Sequence, residues 1–109
     1  MTNYVFIESR DPFDPNGTRF IVEAVTGLKR LDNQVTVFLV QNGVLGARRN
    51  ARHSHLPALS RAGVKVLADD FSLRERGIQS VELFPEVQPT SVDALVDLLV
   101  HNATKAVWH

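Results

Sequence analysis

The fold is decided by one stretch of the chain, which reads Gly63-Val64-Lys65-Val66-Leu67-Ala68-Asp69-Asp70-Phe71-Ser72-Leu73-Arg74-Glu75-Arg76-Gly77-Ile78. Its first residues, 64–68, are mostly apolar and predict a buried strand. Two carboxylates then turn the chain into a short helix that ends at Gly77. Open α/β sheets place ligands where the carboxyl end of a strand meets a helix N-terminus. We therefore predict that this turn is the functional site.

Similar alternation of strands and helices continues on both sides of this stretch. Residues 4–7 and 35–40 are apolar runs typical of strands that are buried on both faces. The other predicted elements are a helix at 18–31 capped by Asn16 or Thr18, a mobile loop at 45–55, a short helix ending at Gly63, an extended segment at 80–84, a helix capped by Thr90 or Ser91, and a last strand at 103–109. The apolar face predicted for the helix after Ser91 comprises Val92, Leu95, Val96, Leu99 and Val100.

Alternating elements of this kind favour parallel strand pairing through right-handed crossovers. The predicted fold is one three-layer α/β domain over residues 1–109, with a mostly parallel sheet of four or five strands. Helices cover both faces of the sheet, in a flavodoxin-like arrangement.

Composition excludes several classes of function. The chain has 109 residues, 44% of them apolar and 22% charged, as expected for one globular domain. It contains no cysteine, which excludes disulfides, thiolate metal sites and cysteine-based catalysis. No apolar run approaches the roughly 18 to 20 residues of a membrane span. No signal-like segment is seen, so a cytoplasmic protein without membrane contact is expected.

The paired acids allow two interpretations. Asp69 and Asp70 are candidate catalytic residues, a general base and its orienting partner, because adjacent carboxylates shift each other's pKa. Alternatively, one of them caps the helix, and the spacing of Ser72 and Glu75 matches a capping box. Capping also disfavours anion binding, because a carboxylate already occupies the positive end of the helix.

Loops that follow the strands should gather at the same edge of the sheet. The candidate ligand-binding residues on them are Gln41, Asn42, Gly43, Arg48, Arg52, His53, His55 and Ser72. Their arginines suit a small anionic ligand. Two histidines with Asp69 could form a metal site, but this signal is weak, and no metal or cofactor is expected. Nucleic acid is not expected either, because the net charge is zero and no aromatic residues interleave with the arginines.

Four segments together resemble the DsrE/DsrF-like (also TusD-like) sulfur-relay family. They are Val35-Thr36-Val37-Phe38-Leu39-Val40-Gln41-Asn42-Gly43-Val44, Gly63-Val64-Lys65-Val66-Leu67, Arg76-Gly77-Ile78 and Lys105-Ala106-Val107-Trp108. The resemblance implies a mostly parallel five-stranded sheet and self-association into trimers or hexamers. It also implies a partner that is a sulfur-transfer protein.

Relay members of that family carry an acceptor cysteine on the loop after the third strand, which forms a persulfide. The matching position here is Asp69, and the position of a second cysteine in some members is Ser72. Neither side chain can hold sulfane sulfur. The sequence thus favours a non-catalytic, homo-oligomeric binding or accessory protein connected with sulfur metabolism. Two alternatives are a small enzyme that uses Asp69 or Asp70 as general base, and a scaffold for a cysteine-bearing relative.

Overall fold

The computed structural model describes residues 2–51, 54–100 and 104–109. Strands and helices alternate along these residues. The elements are β1 (Asn3–Glu8), α1 (Pro15–Arg30), β2 (Gln34–Leu39), a first 3-10 helix (Gln41–Ala47), α2 (Leu56–Arg61), β3 (Lys65–Asp69), α3 (Asp70–Glu75), a second 3-10 helix (Ser80–Glu82), β4 (Val87–Thr90), α4 (Val92–Val100) and β5 (Lys105–Trp108). No helix in the described ranges is both long enough and apolar enough to cross a membrane.

The five strands form one parallel sheet in the order β4-β3-β2-β1-β5. The first three crossovers step outwards from β1 to β4, and the last one returns to place β5 on the other side of β1. This confirms the predicted parallel α/β fold. The strand order differs from the flavodoxin order 2-1-3-4-5. Strands β2, β3 and β4 follow β1 on one side and β5 lies on its other side, so the strand order reverses between β1 and β5.

The sheet separates two apolar clusters. On one face, Phe6, Val37 and Val66 pack with Ile21 and Val25 of α1, and with residues of α2 and α3. On the other face, α4 covers a smaller cluster through Leu95, which packs against four strand residues, Val5, Ile7, Phe38 and Leu67. Helices therefore lie on both faces, as predicted, but the second face has a thinner layer.

The predicted core face of α4 is wrong. Only Leu95 is buried, while Val92, Val96, Leu99 and Val100 are exposed. The nine-residue helix carries just two charged residues, so its apolar pattern runs almost all the way round. Periodicity cannot select the buried side of such a helix.

The predicted extended segment at 80–84 is also wrong. Residues Ser80–Glu82 form a 3-10 turn, in which the Glu82 carboxylate accepts a hydrogen bond of 3.0 Å from the backbone N–H of Gln79. The fourth strand comes later, at Val87–Thr90, and includes Pro89. Proline lacks a backbone N–H, and it is tolerated here because β4 pairs only with β3 at the edge of the sheet.

Two smaller predictions also need correction. Helix α1 begins at Pro15 and is capped by Asp14, whose carboxylate accepts from the backbone N–H of Asn16 at 3.2 Å. The predicted loop at 45–55 starts inside the first 3-10 helix, Gln41–Ala47. Arg52 and His53 of that loop lie outside the described residues.

Gly43 lets the loop after β2 approach the end of β1 closely. A Cβ atom at Gly43 would lie 2.2 Å from the carbonyl oxygen of Glu8, which also accepts the backbone N–H of Val40 at 2.9 Å. Real Cβ atoms do not approach backbone so closely. The position therefore requires glycine because of space, not because of an unusual backbone angle.

We expect Gly43→Ala to lower the free energy of unfolding by about 1–3 kcal/mol or more, since the backbone must shift to relieve the clash. Gly27→Ala is the matched control, because it lies inside α1 with nothing within 4 Å of its added Cβ. The control should gain about 0.5–1 kcal/mol from better helix propensity. Urea denaturation measures both, and equal effects of the two variants would contradict the close approach at Gly43.

Candidate functional site

Asp69 is the last residue of β3 and the N-cap of α3. Its Oδ2 accepts two hydrogen bonds from Ser72, one from the backbone N–H at 3.1 Å and one from the hydroxyl at 2.7 Å. Both residues are buried, with Asp69 8% exposed. The capping interpretation of Asp69 is thus confirmed. The capping box of Ser72 and Glu75 is wrong, because Ser72 lies inside the first turn and Glu75 is the last helical residue.

Ser72 also connects this turn to the loop that follows β2. Its hydroxyl oxygen accepts a hydrogen bond of 2.9 Å from the backbone N–H of Gln41. Gln41 has a φ of +51°, in the left-handed region that costs most residues roughly 1–2 kcal/mol. The bond to Ser72 helps to hold Gln41 in this conformation, so the two loops support each other.

Arg76 closes the same arrangement from the end of α3. Its Nε and Nη2 donate to the side-chain oxygen of Asn42 at 3.3 and 3.1 Å, and its Nη1 donates to the Ser72 carbonyl at 3.2 Å. We call the five residues that these bonds join, Gln41, Asn42, Asp69, Ser72 and Arg76, the edge junction. It unites four of the predicted site residues at the carboxyl edge of the sheet.

Four other predicted site residues that the structure describes, Gly43, Arg48, His55 and Asp70, take no part in the edge junction. Arg48 donates from Nε to the Leu45 carbonyl at 3.0 Å and forms a β-bridge with Leu83. His55 is exposed beside Phe13 in a shallow groove. Asp70 is partly exposed and lies 3.8 Å from Arg74 in a loose ion pair. No group of three metal-ligating side chains occurs in the ranges that the structure describes.

Sequence reasoning missed two features next to the edge junction. The first is Arg76, whose position four residues after Ser72 indicates that both lie on one side of α3. The second is Phe71, which follows Asp70 in the chain and is 57% exposed. A large aromatic side chain that remains in water beside a loop edge is a common anchor for a binding partner.

Asp69→Asn should leave the free energy of unfolding nearly unchanged, because Asn caps helices about as well as Asp and keeps an acceptor for Ser72. Asp69→Ala should lower it by about 1–3 kcal/mol, since the cap is lost and the buried Ser72 hydroxyl loses its acceptor. Asp70→Ala is the control, with an expected change below about 1 kcal/mol. Urea denaturation decides, and an Asp69→Asn variant as unstable as Asp69→Ala would contradict a pure capping role.

Comparison with known proteins places this geometry in context. The model of the DsrE/DsrF-like family matches residues 2–105. The YchN protein of Escherichia coli has a similar structure, with a TM-score of 0.86, 14% identity and complete coverage of both chains. MTH1491 of Methanobacterium thermoautotrophicum, a protein of unknown function, aligns with a TM-score of 0.77, 20% identity and complete coverage of both chains. At these identities the two structures establish the fold alone. No curated protein matches the chain. Since the family model covers almost the whole sequence, the chain belongs to the DsrE/DsrF-like family.

Proposed function

We propose that this protein is a non-catalytic member of its family, a homo-oligomeric binding or accessory protein connected with sulfur relay. The observation that carries the proposal is that the Asp69 side chain caps α3. It stands at the position of the relay cysteine, on the turn after β3, and its Oδ2 accepts two hydrogen bonds from Ser72. This turn keeps the form of a sulfur-acceptor loop, but its central side chain caps a helix.

The chemistry of the loop supports this proposal. A persulfide needs a thiolate that attacks sulfane sulfur, and the chain contains no cysteine at any position. Ser72, at the position of the second family cysteine, donates its hydroxyl proton to Asp69 and accepts the backbone N–H of Gln41. Both positions are therefore committed to holding the loops together.

The alternative of a small enzyme finds less support. A general base must reach the proton that it removes, and Asp69 is 8% exposed with one carboxylate oxygen bonded to two donors. Asp70 is more accessible but lies beside Arg74 in a loose ion pair on the helix surface. Arg48 and Arg52 are the two candidates for holding an anionic substrate. The Arg48 side chain donates from Nε to the Leu45 carbonyl instead, and Arg52 lies outside the described residues.

The outer rim of the edge junction suits a protein partner. Gln41 and Asn42 are exposed, and Phe71, next to Ser72 in sequence, is 57% exposed. Arg76 holds Asn42 in place, which lowers the entropy lost when a partner orders this rim. A rigid polar rim with one aromatic anchor is typical of protein interfaces. We take a sulfur-transfer protein as the partner, because the family provides that context.

The outer side of α4 supports self-association. Val92, Val96 and Val100 are each more than half exposed, although valine favours burial. They lie on one nine-residue helix whose charged residues are only Asp93 and Asp97. Covering this face with a second copy of the chain would remove the apolar surface from water.

A cysteine placed at the acceptor position should restore sulfur binding. We expect Asp69→Cys, after treatment with polysulfide, to gain the mass of one sulfur atom, because the N-terminus of α3 favours the thiolate that attacks the donor. Asp70→Cys, one residue further along, is the control and should react less. Intact-protein mass spectrometry gives the result. Equal reactivity at both positions would contradict the assignment of this turn as the acceptor loop.

Self-association is tested by sedimentation velocity at micromolar concentration. The unmodified protein should sediment as an oligomer, and Val96→Glu should shift it towards the monomer because a charge enters the apolar face of α4. Leu31→Glu is the control, since Leu31 is also an exposed apolar residue, 74% exposed against 52% for Val96, but lies at the end of α1. A monomeric unmodified protein would refute the proposed assembly, and an unaffected Val96→Glu oligomer would refute the interface.

A further inference from the structure

Glu8 is a buried carboxylate that the edge junction does not use. It is the last residue of β1 and is 8% exposed. Among the described residues that are buried, only Glu8, Asp69 and Ser72 are polar or charged. The cap of α3 accounts for Asp69 and Ser72. Glu8 caps no helix, although taking a carboxylate out of water is costly.

A histidine from the other end of the chain pairs with Glu8. The Nδ1 of His109 lies 2.6 Å from Oε2 of Glu8, and each side chain is only 10% exposed. The other oxygen, Oε1, accepts the backbone N–H of Arg10 at 3.0 Å. The imidazole stacks on Phe20 with a centroid distance of 4.6 Å, and its Nε2 makes no hydrogen bond with the described residues.

The backbone also fixes His109 in this position. Its N–H donates to the Ile7 carbonyl at 2.9 Å, and its carbonyl accepts the N–H of Ser9 at 3.0 Å. These bonds extend the pairing of β5 with β1 by one residue. Glu8 and His109 therefore meet between β1 and β5, where the strand order of the sheet reverses. In open α/β sheets, ligands bind outside the carboxyl ends of the strands at that point.

Glu8 also lines a partly open cavity of about 60 Å³. Its walls are mainly apolar and include Ile21, Leu39 and Leu59, with Gly43 and Gly46 where loops approach closely. Small-molecule sites are mostly apolar with a few convergent polar groups, and this cavity is smaller than most of them. Its lining also includes Arg10, Asp11, Thr18, Ser54 and His55, but Glu8 is the polar lining residue that is buried. The Glu8 carboxylate keeps free lone pairs after its bonds to His109 and Arg10.

We propose that this cavity binds a small neutral molecule with an apolar body and one N–H or O–H donor, which Glu8 accepts. An apolar cavity of about 150 Å³ binds benzene, so the smaller cavity volume here limits the ligand to a molecule smaller than benzene. A neutral donor suits the site, because the His109 imidazole already lies 2.6 Å from one oxygen of the carboxylate and a cationic ligand would compete with it for that group. His109 is a positioning residue that orients Glu8.

Stability alone does not account for the pair. A buried polar pair, ionised or not, loses the hydration of both side chains and often contributes no more than apolar residues of the same volume would. Ligand binding gives the pair a role that folding does not. This site is separate from the edge junction, so it can fail while the proposed function stands.

The test uses pyrazole, a ring smaller than benzene with one N–H donor, and 1-methylpyrazole, which lacks that donor. Titration of the ¹⁵N-labelled protein should shift the amide resonances of Gly43 and Gly46 saturably, with a dissociation constant on the order of 1 mM. Gly27, in the middle of α1 and not in the cavity wall, should not move. 1-Methylpyrazole should bind at least about tenfold more weakly, because it cannot donate to Glu8.

Glu8→Leu should abolish the preference for pyrazole, bringing the ratio of the two affinities to about one. Glu86→Leu is the control, since it makes the same substitution at an exposed residue outside the cavity lining and should keep the ratio. The two compounds are also compared on the unmodified protein, and this comparison tests the proposal even if Glu8→Leu does not fold. The proposal is overturned if neither compound binds saturably, if both bind equally well, or if the preference survives Glu8→Leu.

Discussion

The carboxyl edge of the sheet depends on the two hydrogen bonds that Ser72 donates to Asp69. They fix the direction in which α3 leaves β3, since the cap satisfies a helix N–H that would otherwise be buried without a partner. The same hydroxyl then holds Gln41 in a left-handed conformation, and Arg76 ties Asn42 to the end of the helix. Each bond is worth only about 1 kcal/mol, but together they join the loops after β2 and β3 into one rigid unit.

The chain belongs to the DsrE/DsrF-like family but contains no cysteine, and the hydrogen bonds around Asp69 are compatible with both facts. On the proposed alignment a relay cysteine would have to be reachable and reactive at this position, whereas Asp69 is buried and accepts hydrogen bonds within the first turn of α3. Gln41 and Asn42 remain exposed, and Phe71 is 57% exposed. The strand order adds a second location at β1 and β5, where Glu8 and His109 meet beside a cavity. The carboxyl edge of the sheet thus carries two separate arrangements. One is held by the hydrogen bonds between Asp69 and Ser72, and the other by the buried pair of Glu8 and His109.

Local patterns predicted most of the fold and part of the site. The runs at β1, β2 and β3 are apolar because both faces of those strands are covered, so their sequence alone marks them. The edge strand β4 gave no such signal, since half of it faces water and it contains Pro89. The orientation of α4 was not predictable either, because nearly every side of that helix is apolar. The turn from strand to helix predicted a carboxylate cap, but it did not decide between Asp69 and Asp70, and the expected capping box of Ser72 and Glu75 is wrong. The pairing of Glu8 with His109 joins residues about a hundred positions apart, and only the order of the strands brings them together.

We propose that Asp69 holds a closed, structural turn and not an open reaction centre. Amide hydrogen exchange of the native protein tests it most directly, because it reports how often each hydrogen bond opens. The account predicts that the amides of Ser72 and Gln41 exchange at least about 100-fold more slowly than free peptide amides, together with amides of β3. Exchange of the Ser72 and Gln41 amides at the rate of free peptides would contradict the account, since the loops would then open independently of the core.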